Sequence, residues 1–305
     1  MVSSTQYHIP VLLQECMEGL NINPEGVYID ATFGGGGHAR KLFDSLNEKG
    51  ILLGFDQDDD TLGNSWKAAN FHFVKSNFRF IQNHLGLFGV DKIDGLLADL
   101  GVSSHQFDVL ERGFSIRESA PLDMRMNKNG QITAADVLNN TEENELYKLF
   151  RSYSDILNLG KLIPNLVHFR LSKPFETTKE LVDVAKMSAP KGKENKYLAQ
   201  VFQALRIEVN QELDALKDLL EQSTKILKPG GRLVVMSYHS LEDRIVKNYM
   251  KRGAFDGKIE KDFFGNVLKP FTEITRHPIV PGEDEIEINS RSRSAKLRIA
   301  VRNEG

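Results

Sequence analysis

An α/β fold is predicted, with a mostly parallel sheet, an antiparallel last strand and an inserted all-helical domain. Three features of the chain carry that expectation. The first hundred residues alternate short apolar strand patterns with helical ones, the order that builds parallel sheets through crossover helices. The first strand pattern stops abruptly at four consecutive glycines, Gly34 to Gly37. Strand patterns then disappear after Met126 and return only at Arg232.

The strand candidates of the first part are Tyr28-Ile-Asp, Leu52-Leu-Gly-Phe, Phe71-His-Phe-Val and Ile93 to Leu100. Each is short, apolar and bounded by turn residues or helical stretches, as expected of strands buried on both faces. Residues from about Glu111 to Met126 are irregular and rich in Arg, Gly, Pro and Met. Beyond them Thr141 can cap a helix that presents Leu146, Leu149, Phe150 and Tyr153 on one face. Thr177 with Glu180 has the spacing of a capping box. Ser188 to Asn195 reads as a loop, and a helical region runs from Tyr197 to a stop at Lys228-Pro-Gly-Gly231. Arg232 to His239 resumes the buried-strand pattern. Lys296 to Arg302 alternates Leu297, Ile299 and Val301 with polar neighbours, which suggests an antiparallel edge strand. The expected division is a sheet domain of residues 1–110 and 211–305, interrupted by a helical domain of residues 111–210 that overhangs the strand tips.

Composition narrows the classes. The chain has 305 residues, 40% hydrophobic, enough for a proper core. No run approaches the eighteen or so apolar residues of a membrane span. Met1-Val-Ser-Ser-Thr-Gln-Tyr7 is polar, without the basic and apolar segments of a signal peptide. The single cysteine, Cys16, allows no internal disulfide and fits a reducing cytoplasm; it falls on an apolar face with Val11, Leu12 and Leu20 and reads as core. The histidines lack metal-ligand spacing, so no metal is expected. With a net charge of −3, any nucleic-acid contact must come from local patches.

Val27-Tyr-Ile-Asp-Ala-Thr-Phe-Gly-Gly-Gly-Gly-His38 is a strand, a glycine turn and a helix start. That unit opens many nucleotide-type cofactor sites. Ile51 to Asp56 is a second buried strand ending in a carboxylate, placed to accept both hydroxyls of a ribose. Gly34, Gly36 and Ala39 satisfy G-x-G-x-x-G/A. NAD enzymes and S-adenosylmethionine (SAM) methyltransferases share that pattern, and both cofactors carry an adenosine. A phosphate P-loop is absent. Asp99 ends the fourth strand and should face the same crevice. Arg112 to Met126 interleaves Arg112, Arg117 and Arg125 with Phe114 and Met, a composition suited to phosphates and unpaired bases. Ser237-Tyr-His-Ser-Leu-Glu-Asp-Arg244 and Asn289-Ser-Arg-Ser-Arg-Ser-Ala-Lys-Leu-Arg298 are two further polar clusters. An NAD-dependent oxidoreductase would need a second nucleotide-binding half, which the helical insert displaces. A non-catalytic RNA-binding assembly factor would not need its glycines, Asp56 and Asp99 intact.

Longer motifs point to one family. Asp30-Ala-Thr-Phe-Gly-Gly-Gly-Gly-His38, Asp99-Leu-Gly-Val-Ser-Ser104, Arg112-Gly-Phe-Ser115, Pro121-Leu-Asp-Met-Arg-Met126, Phe202-Gln-Ala-Leu-Arg-Ile207, His239-Ser-Leu-Glu-Asp-Arg244 and Asn289-x-Arg-x-Arg-Ser294 stand together. With His8-Ile-Pro-Val-Leu-Leu13 before them, the chain resembles the bacterial ribosomal RNA small-subunit methyltransferase H family, also called MraW. The resemblance implies a Rossmann-like SAM-dependent methyltransferase sheet. It also implies a cytoplasmic enzyme that methylates N4 of a decoding-centre cytidine in 16S ribosomal RNA of the small subunit, with no membrane partner and a homodimer as one expected assembly. It implies SAM contacts at Gly36, Gly37, His38, Asp56, Phe78, Asp99 and Gln106. Arg112, Arg117, Arg125, Arg244, Arg291 and Arg293 are the RNA-binding candidates.

Two stretches of the insert depart from the family pattern, Tyr153-Ser-Asp-Ile-Leu157 and Tyr197-Leu-Ala-Gln-Val201. They bear on how RNA is gripped, not on the SAM site. Asp99 is the candidate proton acceptor for the amine, or serves SAM alone; no Asp-Pro-Pro-Tyr motif decides between the two.

Overall fold

The computed structural model describes residues 10–259, 261, 263–265 and 267–304. His8 and Ile9, which open the first family motif, lie outside them. The chain divides into two units: residues 1–101 with 213–305, and residues 102–212.

The first unit is a seven-stranded sheet. Its strands are β1 (Val27–Asp30), β2 (Ile51–Asp56), β3 (Phe71–Lys75), β4 (Ile93–Asp99), β5 (Leu227–Ser237), β6 (Phe271–Glu273) and β7 (Lys296–Arg302), in the spatial order β3-β2-β1-β4-β5-β7-β6. The five from β3 to β5 are parallel, and β7 runs antiparallel to both β5 and β6. The strand order reverses between β1 and β4, which makes their carboxyl ends the switch point where ligands bind in open sheets of this kind.

Period-two alternation explains how so few residues cover two faces. Tyr28, Leu52, Leu97 and Val234 point to one face, where they pack with Cys16, Met17 and Leu20 of α1 (Leu13–Leu20) and Leu42 of α2 (Gly37–Phe43). Ile29, Leu53, Leu96 and Val235 point to the other, against Ile81 and Leu85 of α3 (Ile81–Leu85). Cys16 is fully buried, and burial pushes its thiol well up, so it packs as core and is no nucleophile.

The second unit is helical: α4 (Ser104–Asp108), α5 (Ala134–Asn140), α6 (Glu143–Tyr153), α7 (Leu159–Ser172), α8 (Thr178–Lys186) and α9 (Glu194–Asn210). Leu146, Leu149 and Phe150 of α6 meet Leu198, Val201 and Leu205 of α9 in its core. Thr177 and Glu180 form the expected capping box on α8. Thr141 does not cap α6; it closes α5, whose own box of Thr133 and Asp136 the apolar pattern did not reveal.

The chain returns to the sheet through α10 (Glu212–Ile226), α11 (Ser240–Arg252) and α12 (Glu283–Ile288), with Leu216, Leu219, Val246 and Met250 covering the Ile29 face. The single helical region expected from Tyr197 to Leu227 is two helices, broken at Gln211 in the left-handed conformation (φ 50°). Lys228-Pro-Gly-Gly231 is not a turn before the strand but part of β5, where a bulge shifts the register against β4. Nor is β7 the edge: three-residue β6, too short for a periodic signal, pairs with it from Ala300 to Arg302.

Gly95 has a specific reason to be glycine. A Cβ there would lie 2.8 Å from two ring carbons of Tyr28 and 3.0 Å from Leu20 Cδ2. Tyr28 cannot swing away, because its hydroxyl accepts the Asn23 amide at 2.7 Å and its ring is fully buried. Gly95→Ala should lower the unfolding free energy by about 1–3 kcal/mol, the usual cost of overpacking a core. Urea denaturation measures it; an unchanged midpoint would mean the sheet yields there.

Candidate cofactor and proton-transfer site

Three parallel strands end in carboxylates at the same end of the sheet: Asp30 on β1, Asp56 on β2 and Asp99 on β4. Between β1 and α2 the chain makes the glycine turn, with Gly34 (φ 49°) and Gly36 (φ 76°) in the left-handed region. Only glycine occupies that region without cost. A Cβ at Gly35 would meet nothing within 4 Å, so this backbone is open to a ligand. Gly37 is closed on its other side, since a Cβ there would stand 2.3 Å from Pro10 Cγ.

Asp56 holds the turn in place. One carboxylate oxygen accepts the Gly34 amide at 2.8 Å and the other accepts the Asp58 amide at 2.9 Å. The Gln57 amide donates to the carboxylate as well, so three of its roughly four acceptor sites are used and room remains for a further donor such as a hydroxyl. Burial pushes its pKa up to about 6, against the pull of those backbone donors. Asp30 is deeper. Its Oδ1 accepts the Thr32 amide at 3.0 Å, whereas the buried Oδ2 has no partner. Burial raises it to about 6, with His38 opposing.

His38 has a defined tautomer. Its Nε2 lies 3.0 Å from the Val11 carbonyl oxygen, which can only accept, so Nε2 carries the hydrogen. Nδ1 of the neutral ring is then a bare lone pair, 3.8 Å from Asp99 Oδ2. Burial lowers the pKa of the ring. Asp99 itself is anchored through its amide to Thr32 Oγ1 at 2.6 Å, and its Oδ1 accepts the Tyr238 hydroxyl at 2.8 Å. Its side chain keeps a quarter of its surface exposed, so a substrate can reach it. Burial raises Asp99 to about 7, despite the Tyr238 bond. Phe78 follows β3 on a 3₁₀ turn capped by Asn77, half-buried against the Ile29 face. Asn77 also bonds Gln57 at 2.8 Å, tying the end of β3 to the end of β2.

Residues 5–303 match the family model described as the MraW methylase family. The chain belongs to that family. It is 55% identical over 298 residues to Ribosomal RNA small subunit methyltransferase H of Cytophaga hutchinsonii, covering 97% of this chain and 99% of that protein. It is 53% identical over 294 residues to the protein of the same name from Bacteroides thetaiotaomicron, covering 96% and 97%. An rRNA methylase structure from Streptococcus thermophilus aligns over 96% of this chain and 94% of its own, with a TM-score of 0.42 and 11% identity.

As an MraW methylase the chain uses S-adenosyl-L-methionine. The residues present fit that group: an open glycine backbone, a strand-tip carboxylate for a ribose, and a buried carboxylate oxygen on Asp30 with no partner of its own. Gln106 belongs to the second unit, where it is buried and closes a capping box with Ser103 on α4. Asp30 and Tyr238 were not among the expected site residues. Asp30 was legible by the same strand-tip logic as Asp56 and Asp99; Tyr238 lay within the Ser237–Arg244 cluster at the end of the fifth strand, without a role of its own.

The arginine cluster requires correction. Arg112 is buried, and its Nη2 donates to the carbonyls of Arg125 at 2.9 Å and Met126 at 2.8 Å. Arg125 is paired through two bonds with Asp123, at 2.8 and 2.6 Å, and also donates to Gly130 O. Leu122, Met124 and Phe114 around them are core. Arg112 and Arg125 are therefore occupied within the fold, because their guanidiniums satisfy carbonyls that the irregular backbone leaves without partners. Arg117, Arg244, Arg291 and Arg293 are exposed. Among the described residues no helix is long and apolar enough to cross a membrane.

The raised carboxylates make a pH prediction. Asp30 binds its proton more tightly folded than unfolded, so its contribution to stability is complete in acid and is lost as pH rises through about 6. His38, whose pKa is lowered, acts in the opposite sense, so the comparison must be differential. Asp30→Asn should gain stability relative to the parent between pH 5 and pH 8. Urea denaturation at the two pH values tests it, and a gap that stays constant or narrows would contradict the assignment.

Proposed function

We propose that this chain transfers a methyl group from S-adenosylmethionine to N4 of a decoding-centre cytidine in 16S ribosomal RNA. The substrate class follows from the names of the relatives, which are ribosomal RNA small subunit methyltransferases H. The carrying observation is the partly exposed Asp99 carboxylate beside the glycine turn, with one oxygen held by Tyr238 and the other without a donor among the described residues.

When bound, the cofactor supplies an electrophilic methyl on a sulfonium, so alignment and desolvation are the protein's main tasks. Asp56 accepts the ribose hydroxyls, the Gly36–Gly37 backbone and His38 border the amino-acid tail, and Asp30 Oδ2 accepts from its ammonium. Phe78 flanks the adenine. An exocyclic amine conjugated with its ring is a poor lone-pair donor. Asp99 accepts a hydrogen bond from it and takes the proton that must leave after methylation. The base enters unpaired. A nicotinamide reading gives way to the methylase family. Residues 102–212 contribute to substrate recognition.

Asp99→Asn should leave SAM affinity within a few-fold and lower the rate on small ribosomal subunits, taken from cells lacking this gene, by about 10²–10⁴, the usual reach of a general base. Mapping the labelled base identifies the target. Activity near that of the parent would remove Asp99 from chemistry, and an unlabelled RNA would leave only the assembly-factor reading.

The exposed arginines act on RNA. Arg291→Ala and Arg293→Ala should weaken RNA binding and reduce the slope of log affinity against log salt by nearly one for each phosphate no longer held, with SAM affinity unchanged. Arg112→Ala should instead destabilise the fold by about 1–3 kcal/mol, because two buried carbonyls lose their donor. Titration of RNA at several salt concentrations, together with thermal melts, separates these outcomes.

A further inference from the structure

The two oxygens of Asp99 stand in different situations, and the difference comes from outside β4. The register pairs Asp99 with Met236 on β5. Tyr238, two residues beyond Met236, therefore leaves the sheet beside Asp99. Its own amide donates to Glu242 Oε2 at 2.9 Å, which fixes the backbone where β5 passes into α11. On the β4 side the chain turns away at Gly101 (φ 94°), where an added Cβ would touch the Tyr238 ring at 3.5 Å. The ring is thus seated between two strand ends, with its hydroxyl 2.8 Å from Asp99 Oδ1.

Oδ2 has no such donor among the described residues. The nearest ring nitrogen is Nδ1 of His38 at 3.8 Å, and the Val11 carbonyl forces the hydrogen of the neutral ring onto the other nitrogen. The charged and titratable groups facing this pair are mostly acids or weak acids: Asp30 from β1, Glu242 from α11, Glu285 from α12 toward His38, and Cys16 from α1. Among the described residues no lysine or arginine forms an ion pair with Asp99. In such surroundings a carboxylate retains its proton unless something favours the charged form.

We propose that Tyr238 is the positioning residue for methyl transfer: its hydroxyl holds Asp99 Oδ1, favours the ionised carboxylate, and leaves Oδ2 as the oxygen that receives the amine proton. Tyr238 itself does not touch the substrate. The nitrogen lone pair forms the carbon–nitrogen bond as the carbon–sulfur bond breaks and sulfur keeps its electron pair. The methylated nitrogen, now positive, releases one proton to Oδ2. The proton then leaves Oδ2 for solvent through the exposed quarter of the Asp99 side chain, which frees the carboxylate for another turnover.

This inference rests on Asp99 as the proton acceptor, and the test keeps the two claims apart. The pH profile of kcat/KM for methylation of unmethylated small ribosomal subunits reports the ionisation of the free enzyme's essential groups. A hydrogen bond to a charged group is worth about one to two pH units. Tyr238→Phe should therefore move the acid limb upward by about one to two pH units, lower the rate at neutral pH roughly ten-fold or more, and recover most of the parent rate at high pH. SAM affinity should be unchanged. Site-specific replacement of Tyr238 by 3-fluorotyrosine keeps the ring and makes the phenol a stronger donor, so the limb should move downward even if the phenylalanine variant folds poorly. A limb that stays in place in the folded 3-fluorotyrosine protein, or an equal fall in rate at every pH in Tyr238→Phe, overturns the role of Tyr238. Normal activity in Asp99→Asn overturns the acceptor itself, whatever Tyr238 does.

Discussion

The hydrogen bond from the Gly34 amide to the Asp56 carboxylate joins the two strand ends on which the site is built. It crosses from the turn after β1 to the tip of β2. Those strands are already locked in register from Val27–Ile51 to Asp30–Gly54. The ladder sets the distance and the bond sets the conformation of the turn. Phe33 completes the arrangement from below. Its amide donates to Phe55 O at 2.8 Å, and its ring lies under Gly36 and against Gly54, where side chains would collide with it. The open face at Gly35 exists because the neighbouring glycines are committed to packing and to left-handed backbone.

The same end of the sheet carries an electrostatic cost. Three aspartates are desolvated within one group of strand tips, and burial is the largest influence on each. Asp56 is compensated by the backbone amides of Gly34, Gln57 and Asp58, Asp99 by a phenol, and Asp30 only at Oδ1, by the amide and hydroxyl of Thr32, which leaves Oδ2 without a partner. Buried acceptors are seldom left unsatisfied. Such groups weaken the ligand-free fold and favour a ligand that brings donors. Further from the site, Asp243 of α11 carries its charge in the ordinary way, paired with Arg298 at 2.7 Å and Lys296 at 3.3 Å from β7.

The arginines separate by the backbone around them. Arg112 ends a short 3₁₀ turn and Arg125 lies in the irregular stretch after it, where carbonyls have no helix or strand partner. Asn210 and Thr178 do the same work nearby: Asn210 bonds both Met126 N and Met124 O, and Thr178 bonds both Ala120 N and Glu118 O. Much of this polar segment is therefore wired to the helical core, while Arg117 to Ser119 are exposed. Arg291 and Arg293 follow Asn289, which caps their short 3₁₀ turn through its own side chain, and both are exposed residues.

The chain by itself determined the α/β class, the five parallel strands and the glycine turn followed by a carboxylate. Those features are local: apolar runs, periodicity and backbone permissiveness are properties of neighbouring residues. The family was legible for the same reason, because its motifs are contiguous. Tertiary structure alone decided which polar residues were already occupied. Arg112 and Arg117 look alike in sequence, yet one is buried against two carbonyls and the other is exposed. Three-residue β6 gave no period to read, and the break at Gln211 depends on a single left-handed residue. Tyr238 meets Asp99 across 139 positions of sequence, through the register of β4 with β5. A hydrogen bond spanning that separation is set by the sheet and not by the segment, so no local pattern announces it.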